Sequence, residues 1–413
     1  MQETSRYVVG IDIGTTAVRC VIGHLDGTSG TPTIVGVGQA TNSGMRKGTV
    51  ANLTGPAQAI DTALGEAERM SGYQVNGATL SINGSHILST KADGMIAVGA
   101  MDHEINPEDL ARIEEVATIG KVPANREILE VVPHSYRLDG QDNIKDPLGM
   151  TGTRLEINAN VVSALVPPMQ HLHKTAEMAK VEAHATIPSV LAAAKAVLSE
   201  QQSENGVAVI DMGGATTGVA IFEEGDLQYV AVVPVGGVNI TNDLAIGLKT
   251  DPEIAEKVKL THAVATPRAE SEGISVTHES ETLSFNSTDI DEIVEARLEE
   301  IFEAVGKELK RAGRAGQLPS GVVLVGGGAK LKGVAEFAKR QLNLAARVGK
   351  PTGFAGVAEQ AEDPQYAAAI GLMLSDAEGP SYSPSGANSG FDSKKTLKGA
   401  TGALGKFLDK FKA

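Results

Sequence analysis

The chain has 413 residues, 42% of them hydrophobic, long enough for two to four domains with complete cores. Aromatic residues make up 3% and Trp is absent, so those cores must be built from Val, Ile, Leu and Ala. The net charge of −15 disfavours nucleic acid as a partner. The sequence has neither a run of about 20 apolar residues nor an N-terminal charged–apolar–small pattern, which argues against a spanning helix and a signal peptide and for a cytosolic location.

The first element in chain order is Tyr7 to Ile22, YVVGIDIGTTAVRCVI, two apolar runs around Asp12, Gly14, Thr15 and Thr16, which predicts a β-hairpin. Its second run holds the only cysteine, Cys20, read as a small buried hydrophobe. A strand over Thr33 to Gln39, a helix over Thr54 to Met70 with Pro56 in its first turn, and a strand over Thr79 to Ile82 complete half of an α/β domain. Beyond Gly84 come strand-like Met95 to Val98, a helix from Pro107 to about Ile119, and strand-like Glu127 to Tyr136. A strand over Val161 to Val166, a helix near Met169 to Lys180, a strand from Val181 and a helix around Ser189 to Leu198 follow.

Val207 to Phe222, VAVIDMGGATTGVAIF, then repeats the order of the first hairpin. Gly213 and Gly214 let the backbone turn tightly and bring N–H groups against an anion, while Thr216 and Thr217 offer hydroxyls. Asp211, like Asp12, stands where a carboxylate could hold Mg²⁺ through water, since that ion keeps much of its hydration. Two such hairpins imply two similar half-molecules facing one nucleotide.

Val230 to Val235 reads as a strand leading into VGGVNITNDLA, a Gly turn at Gly236 and Gly237 followed by a helix capped by Thr. Glu253 to Ala265 is a charged helix, and its Glu256 and Lys259 have the spacing of an exposed i,i+3 ion pair. Ile274 to Phe285 reads as a hairpin and Asp289 to Ala312 as a long amphipathic helix carrying Arg297 and Glu300. Val322 to Leu331, VVLVGGGAKL, is a buried strand running into Gly326, Gly327, Gly328 and Lys330 and then a helix, a loop that lets backbone approach a base or ribose. A helix near Ala367 to Leu374 precedes the Ser/Gly/Pro-rich stretch Gly379 to Ser393, read as a flexible linker.

In the final segment Leu397, Ala400, Leu404, Phe407, Leu408 and Phe411 fall within an arc of about 100° on a helix, with Lys398, Lys406, Lys410 and Lys412 outside it. Residues 378 to 413 hold six Lys against Glu378, Asp392 and Asp409, a net +3 on a body of −18. A terminal, basic, amphipathic segment behind a linker suits an anionic membrane surface, on which it would lie flat. Gly399, Gly402 and Gly405 oppose helix in water, so folding is expected on the bilayer.

Two phosphate hairpins followed by a strand–GGG–helix unit resemble the superfamily of actin, the heat-shock chaperones and the sugar kinases. Glu127 to Ile157, EILEVVPHSYRLDGQDNIKDPLGMTGTRLEI, is similar to the insert called subdomain 1C in the FtsA family of bacterial cell-division proteins, through Asp139-Gly140-Gln141, Ile144 to Pro147, and Gly149-Met150-Thr151-Gly152. Gly236, Gly237, Thr241 and Asp243 match that family's GG-x-x-x-T-x-D pattern. The resemblance implies an actin-like α/β fold of two related halves. Subdomain 1A would cover 1–83 and 160–200, the 1C insert 84–159, 2A 201–243 and 316–376, and 2B 244–315, followed by a linker over 377–393 and a membrane-targeting helix over 394–413.

It further implies ATP with Mg²⁺ held by Asp12, Gly14, Thr15, Thr16, Asp211, Gly213, Gly214, Thr216, Thr217, Gly236, Gly237, Gly326, Gly327, Gly328 and Lys330, with Glu256 and Lys259 flanking the adenosine. ATPase activity would be slow at most, and no residue is marked as the one that orients water. The partners implied are the C-terminal peptide of the tubulin-like division protein FtsZ, at Arg297 and Glu300; further copies of the chain, head to tail; and other division proteins. The membrane would be met through Leu397, Leu404, Lys406, Phe407, Leu408, Lys410 and Phe411, on the cytoplasmic face at the division site.

Other readings are weaker. A sugar or acetate kinase needs an acid–base carboxylate that no residue supplies, and a heat-shock chaperone needs a substrate domain after the nucleotide-binding part. The actin-like protein of type IV pilus assembly shares the plan without the DGQ…IKDP…GM-x-G block. His171 with His173 lacks a carboxylate cluster for a metal site, and Ser85 and His86, adjacent on a strand, would point to opposite faces.

Overall fold

The computed structural model describes residues 5–26, 30–99, 103–278, 281–356 and 359–379. The first half opens with β1 (Arg6–Ile13), β2 (Ala17–Leu25) and β3 (Thr33–Thr41), then a small hairpin of β4 (Met45–Arg46) and β5 (Thr49–Val50), helix α1 (Thr54–Ser71) and β6 (Gly77–Ile82). An insert follows, made of β7 (Leu88–Ala97), α2 (Pro107–Thr118), β8 (Arg126–Leu138), β9 (Gln141–Ile144) and β10 (Arg154–Leu165). The chain returns through α3 (Val166–Met178), β11 (Glu182–Pro188) and α4 (Ser189–Val197).

The second half holds α5 (Glu200–Asn205), β12 (Val207–Met212), β13 (Thr217–Glu223), β14 (Asp226–Val233), α6 (Gly237–Gly247), α7 (Pro252–His262), β15 (Gly273–His278), β16 (Glu281–Asn286) and α8 (Ser287–Arg311). It closes with β17 (Val322–Val325), α9 (Val334–Leu342), β18 (Ala346–Val348) and α10 (Ala367–Glu378).

The two main sheets follow one plan. Strand order is β3-β2-β1-β6-β11 in the first and β14-β13-β12-β17-β18 in the second, each with three antiparallel strands and then two parallel ones. Strands covered on both faces need continuous apolar runs, as in Val207 to Ile210, where all four residues are 0% exposed. Helices α4 and α10 lie between the sheets, and one core joins Val9 and Ile11 of the first half to Val209, Phe222 and Val325 of the second. The helices meet backbone to backbone: a Cβ on Gly371 would lie 1.7 Å from the carbonyl oxygen of Ala192.

The end of α10 is fixed from several sides. The buried carboxylate of Asp376 accepts from the Val9 amide at 2.8 Å, Thr79 Oγ1 at 2.9 Å and His184 Nδ1 at 2.8 Å. Arg6 donates to the carbonyl of Ala377, and Lys195 Nζ on α4 meets Glu378 Oε2 at 2.5 Å. These partners carry the helix past the expected end at Leu374 to Glu378, so its last turn takes the first residues assigned to the linker. The remaining linker and the tail, with Leu397, Leu404, Lys406, Phe407, Leu408, Lys410 and Phe411, lie outside the described residues. Among the described residues no helix is long and apolar enough to cross a membrane.

The insert is a four-stranded antiparallel sheet, β7-β10-β8-β9, with α2 over it and its own core of Ile96, Ile113, Tyr136, Leu155 and Ile157. Asn106 starts α2 in a capping box, its side chain accepting from the amides of Glu108 and Asp109 while the Asp109 carboxylate accepts from the Asn106 amide. The expected boundary between 159 and 160 falls inside β10, because that strand pairs with β7 and β8 along its whole length. Although both ends of the insert join the first half, it docks on β14 of the second: Asn160 Nδ2 donates to the carbonyls of Leu227 at 3.0 Å and Gln228 at 2.5 Å. The outer part of the second half, α6 to α8 with the β15–β16 hairpin, closes around Leu244, Val258, Ile290, Val294 and Leu298.

Candidate functional site at the junction of the two halves

Both expected hairpins form, with Asp12 opposite Arg19 and Asp211 opposite Gly218, so each aspartate lies near the end of its strand beside the turn. The turns close alike, the Gly14 amide on the carbonyl of Ala17 at 3.1 Å and the Gly213 amide on that of Thr216 at 2.9 Å. The intervening amides of Thr15, Thr16, Gly214 and Ala215 make no backbone hydrogen bond among the described residues, which suits a nest for anions. Thr15 Oγ1 accepts from the Gly48 amide at 3.0 Å, tying its turn to the β4–β5 hairpin. The turns touch across the junction at Thr16 and Gly214.

Burial lifts the Asp12 carboxyl above the ordinary carboxylate range, against the opposing effects of Arg19 and a hydrogen bond from Ser81. Asp211 is pushed up to about 7 by burial and then by the charge of Asp12, with Ser189 and Arg19 acting the other way. A half-buried Asp12 and a buried Asp211 whose charges oppose one another are an arrangement that a hydrated divalent cation would favour in its doubly ionised form. Among the described residues no group of three or more His, Cys, Asp or Glu could hold a metal, so Mg²⁺ here would rely on water and phosphate for most of its ligands.

The second turn carries two further loops. The Gly237 amide donates to the carbonyl of Gly213 at 3.0 Å and the Val238 amide to that of Gly214 at 2.6 Å, setting the start of α6 on the turn. Glu256 and Lys259 form the i,i+3 ion pair their spacing suggests, with Glu256 42% exposed but Lys259 drawn inward. Lys259 Nζ, on a side chain 14% exposed, meets Glu256 Oε2 at 2.6 Å, Thr241 Oγ1 at 2.8 Å and the carbonyl of Gly237 at 3.2 Å, pinning α7 to α6.

Of the three glycines after β17, Gly326 (φ +81°) and Gly328 lie against Asp211 and Met212, while a Cβ on Gly327 would meet nothing within 4 Å. The middle residue is therefore the one open to a ligand. A 3-10 turn over Gly327–Lys330 separates this loop from α9, rather than the direct run into a helix that the sequence suggests, because the left-handed Gly326 turns the chain first.

Several expected site residues are already engaged. Thr217, fully buried, donates to the carbonyl of Val235 at 2.8 Å and so secures the start of β13, whereas Thr216 stays in the turn. Lys330 Nζ pairs with Asp363 Oδ2 at 2.5 Å. Arg297 on α8 gives Nε and Nη2 to Asp243 Oδ2 and Oδ1 at 2.5 and 3.0 Å and Nη1 to Glu300 at 2.5 Å, holding α8 on α6.

The sequence reading missed Arg19, Ser81, Ser189 and Gln365. Ser81 Oγ accepts from the Ile13 amide at 2.8 Å, and Arg19, 5.6 Å over the ring of Tyr366, donates to Gln365 Oε1 at 3.1 Å while its buried Nε has no partner. Arg19 had one available signal, its place opposite Asp12 across the hairpin.

Paired half-sheets of one plan, packed on two inner helices with a carboxylate from each half at the junction, define the mixed α/β fold of the actin-like ATPases. Solved structures of that fold include "PilM-PilN type IV pilus biogenesis complex", at TM-score 0.65 and 18% identity over 90% of this chain and 98% of that one. Another is MreB5 of Spiroplasma citri bound to ADP, at TM-score 0.54 and 13% identity over 89% of this chain and 94% of that one. Both likenesses concern the fold.

Family profiles match twice, "SHS2 domain inserted in FTSA" over residues 84–163 and "Cell division protein FtsA" over 208–371. The Pseudomonas aeruginosa cell division protein FtsA is 33% identical over 401 residues, 95% of each chain. That of Bacillus subtilis is 36% identical, covering 90% of this chain and 83% of its own, and that of Escherichia coli K12 is 29% identical, covering 89% and 90%. The chain belongs to the FtsA family of cell-division proteins.

Proposed function

We propose that the chain binds ATP with Mg²⁺ between its two hairpin turns and acts as a nucleotide-dependent assembly protein of cell division. The observation that carries this reading is the electrostatic coupling of Asp12 and Asp211, one from each half, beside two touching turns whose middle amides have no backbone partner among the described residues. Phosphate would take the amides of both turns, Mg²⁺ would neutralise the paired carboxylates through water, and the adenosine would lie between Gly327 and the Glu256–Lys259 pair. Lys330 and the Thr216 hydroxyl flank that path.

Membership of the family supports the rest of the reading. The outer subdomain, with Arg297 and Glu300, would take the acidic C-terminal peptide of FtsZ. Copies would assemble head to tail, and residues 394–413 would bring the filament to the cytoplasmic face of the cell membrane at the division site. Slow turnover or none suffices for a switch that assembles when loaded. Isothermal titration calorimetry of the full chain tests the core of this: Asp211→Ala should weaken Mg-ATP binding at least tenfold, or about 1.4 kcal/mol. Equal affinity in the variant would take the hairpins out of the site.

A further inference from the structure

We infer that the insert is a latch between the two halves, closed by Lys145, and that its release lets the nucleotide junction open. This rests on the nucleotide reading above for one of its two readouts. Lys145 belongs to the IKDP block, which the nucleotide site does not use. Its Nζ reaches across to the second half, 2.7 Å from Asp226 Oδ2 and 3.4 Å from Glu224 Oε2, and the Asp226 side chain is only 6% exposed. Lys145 is a cation among the partners of this buried carboxylate, so withdrawing it removes a charge-assisted bond from a poorly solvated site and favours the docked state.

The contact also has an apolar part, since Val132 and Val162 of the insert share one core with Leu227 and Val230 of β14, and beside it lies a polar part. The register of β14 on β13 slips at Gln228 and that of β8 on β10 slips at His134, and the two bulged residues face each other, Gln228 Nε2 to His134 Nδ1 at 3.5 Å. Asn160, 1% exposed, donates to the Gln228 carbonyl that the bulge frees from the ladder, while His134 Nε2 is buried without a partner. Ion pairs, two bulges and an orphaned nitrogen make this polar edge the part of the interface that parts most readily.

Its position gives it leverage. β13 starts at Thr217 beside the Asp211 turn and runs seven residues to Glu223, so the Glu224–Asp226 turn lies roughly 20 Å from the carboxylates at about 3.3 Å per residue. The touching helices α4 and α10 lie between the sheets, so rotation about them that parts Thr16 from Gly214 also shifts β14 against the insert. Both contacts are made in this structure. A latched insert therefore goes with a closed junction, and a partner that pulls the insert away would loosen nucleotide binding.

The test uses the full chain with Lys145→Met, which keeps the stem and removes the charge, and Lys145→Arg, which retains it. Stopped-flow release of a fluorescent ATP analogue should be at least fivefold faster in Lys145→Met and near wild type in Lys145→Arg. A second readout needs no nucleotide: spin labels on Met70→Cys and Ile246→Cys, exposed sites in opposite halves, report their separation, and buried Cys20 stays unlabelled. Wild type should give one narrow distance and Lys145→Met a broader, shifted one. If Lys145→Met does not fold, Glu224→Lys repels Lys145 from the exposed side and should give the same pattern. Unchanged distances in a folded variant overturn the latch, whether or not nucleotide binds; wild type that binds no ATP analogue overturns the nucleotide reading and leaves the distances to decide.

Discussion

Thr16 and Gly214, one from each hairpin turn, meet so closely that a Cβ on Gly214 would lie 2.6 Å from both Cγ2 and Oγ1 of Thr16. Real side chains do not tolerate that approach, so Gly214→Ala must push the turns apart. ATP affinity is expected to fall about tenfold, some 1.4 kcal/mol, and Thr16→Ala in the same chain should recover part of it by removing both clashing atoms. Calorimetry giving unchanged affinity in the single variant would mean that the turns separate when nucleotide enters.

Gly326 and Gly327 are neighbours with opposite expectations. An alanine at 326 is forced into positive φ with its Cβ 2.5 Å from Asp211 Oδ1, which should cost about 1–3 kcal/mol and lower the melting temperature. An alanine at 327 meets nothing within 4 Å, so the melting temperature should hold while ATP binding weakens where the adenosine needs that space. Gly327→Ala with full ATP affinity would place the base elsewhere.

The hairpins were readable because a local pattern fixes them: apolar runs at strand spacing, an Asp at the strand end and glycines in the turn. What surrounds them was not. Ser81 comes from another strand and Gln365 from the far end of the chain, and each is brought to the site by sheet order and by the packing of α10, which single-sequence spacing does not encode. Thr217 illustrates the converse error. Its pattern offers a hydroxyl for phosphate, yet the strand β13 begins on it and turns that hydroxyl to Val235. Glu256 and Lys259 have the spacing of a solvated pair, and only the tertiary placement of α6 draws the half-buried lysine onto Thr241. The insert was legible as a block, whereas its docking on β14 depends on bulges that leave no trace in the pattern.

Arg297 faces Asp243 with two parallel hydrogen bonds, so a partner carboxylate would compete with an internal one. Arg297→Glu should abolish FtsZ-peptide binding in fluorescence anisotropy while Mg-ATP binding stays intact, and Asp243→Asn, which releases the guanidinium, should bind the peptide at least as tightly as wild type. Weaker peptide binding in Asp243→Asn would show that Arg297 serves to hold α6 and α8 together.

The His184 imidazole is raised above its ordinary value by its hydrogen bond to Asp376, with the Asp376 and Glu182 charges adding and burial and Arg6 opposing. Its charged form is thus favoured in the folded state, giving stability that is full below about pH 6.5 and lost as pH rises through the raised folded pKa. Melting temperatures from pH 6 to 9 should fall more steeply for the wild type than for His184→Gln. Parallel curves would assign the pH dependence to other groups.

For the tail the expected outcome concerns membranes. Phe407→Glu should release the protein from anionic vesicles in sedimentation without changing ATP affinity, since partial burial of each large apolar residue contributes up to about 1.5–3 kcal/mol. Equal sedimentation of variant and wild type would move the anchor to another part of the chain.

Whatever tension reaches residue 379 from beyond enters the body at the last turn of α10. There Glu378 hands it to Lys195 on the neighbouring inner helix, and Asp376 spreads it over Val9, Thr79 and His184 on three adjacent strands. Bonds loaded together in shear share a force that would peel a frayed end one bond at a time. A pull applied beyond residue 379 would therefore be borne by the central sheet and the two inner helices as a unit, without unravelling the last turn of α10.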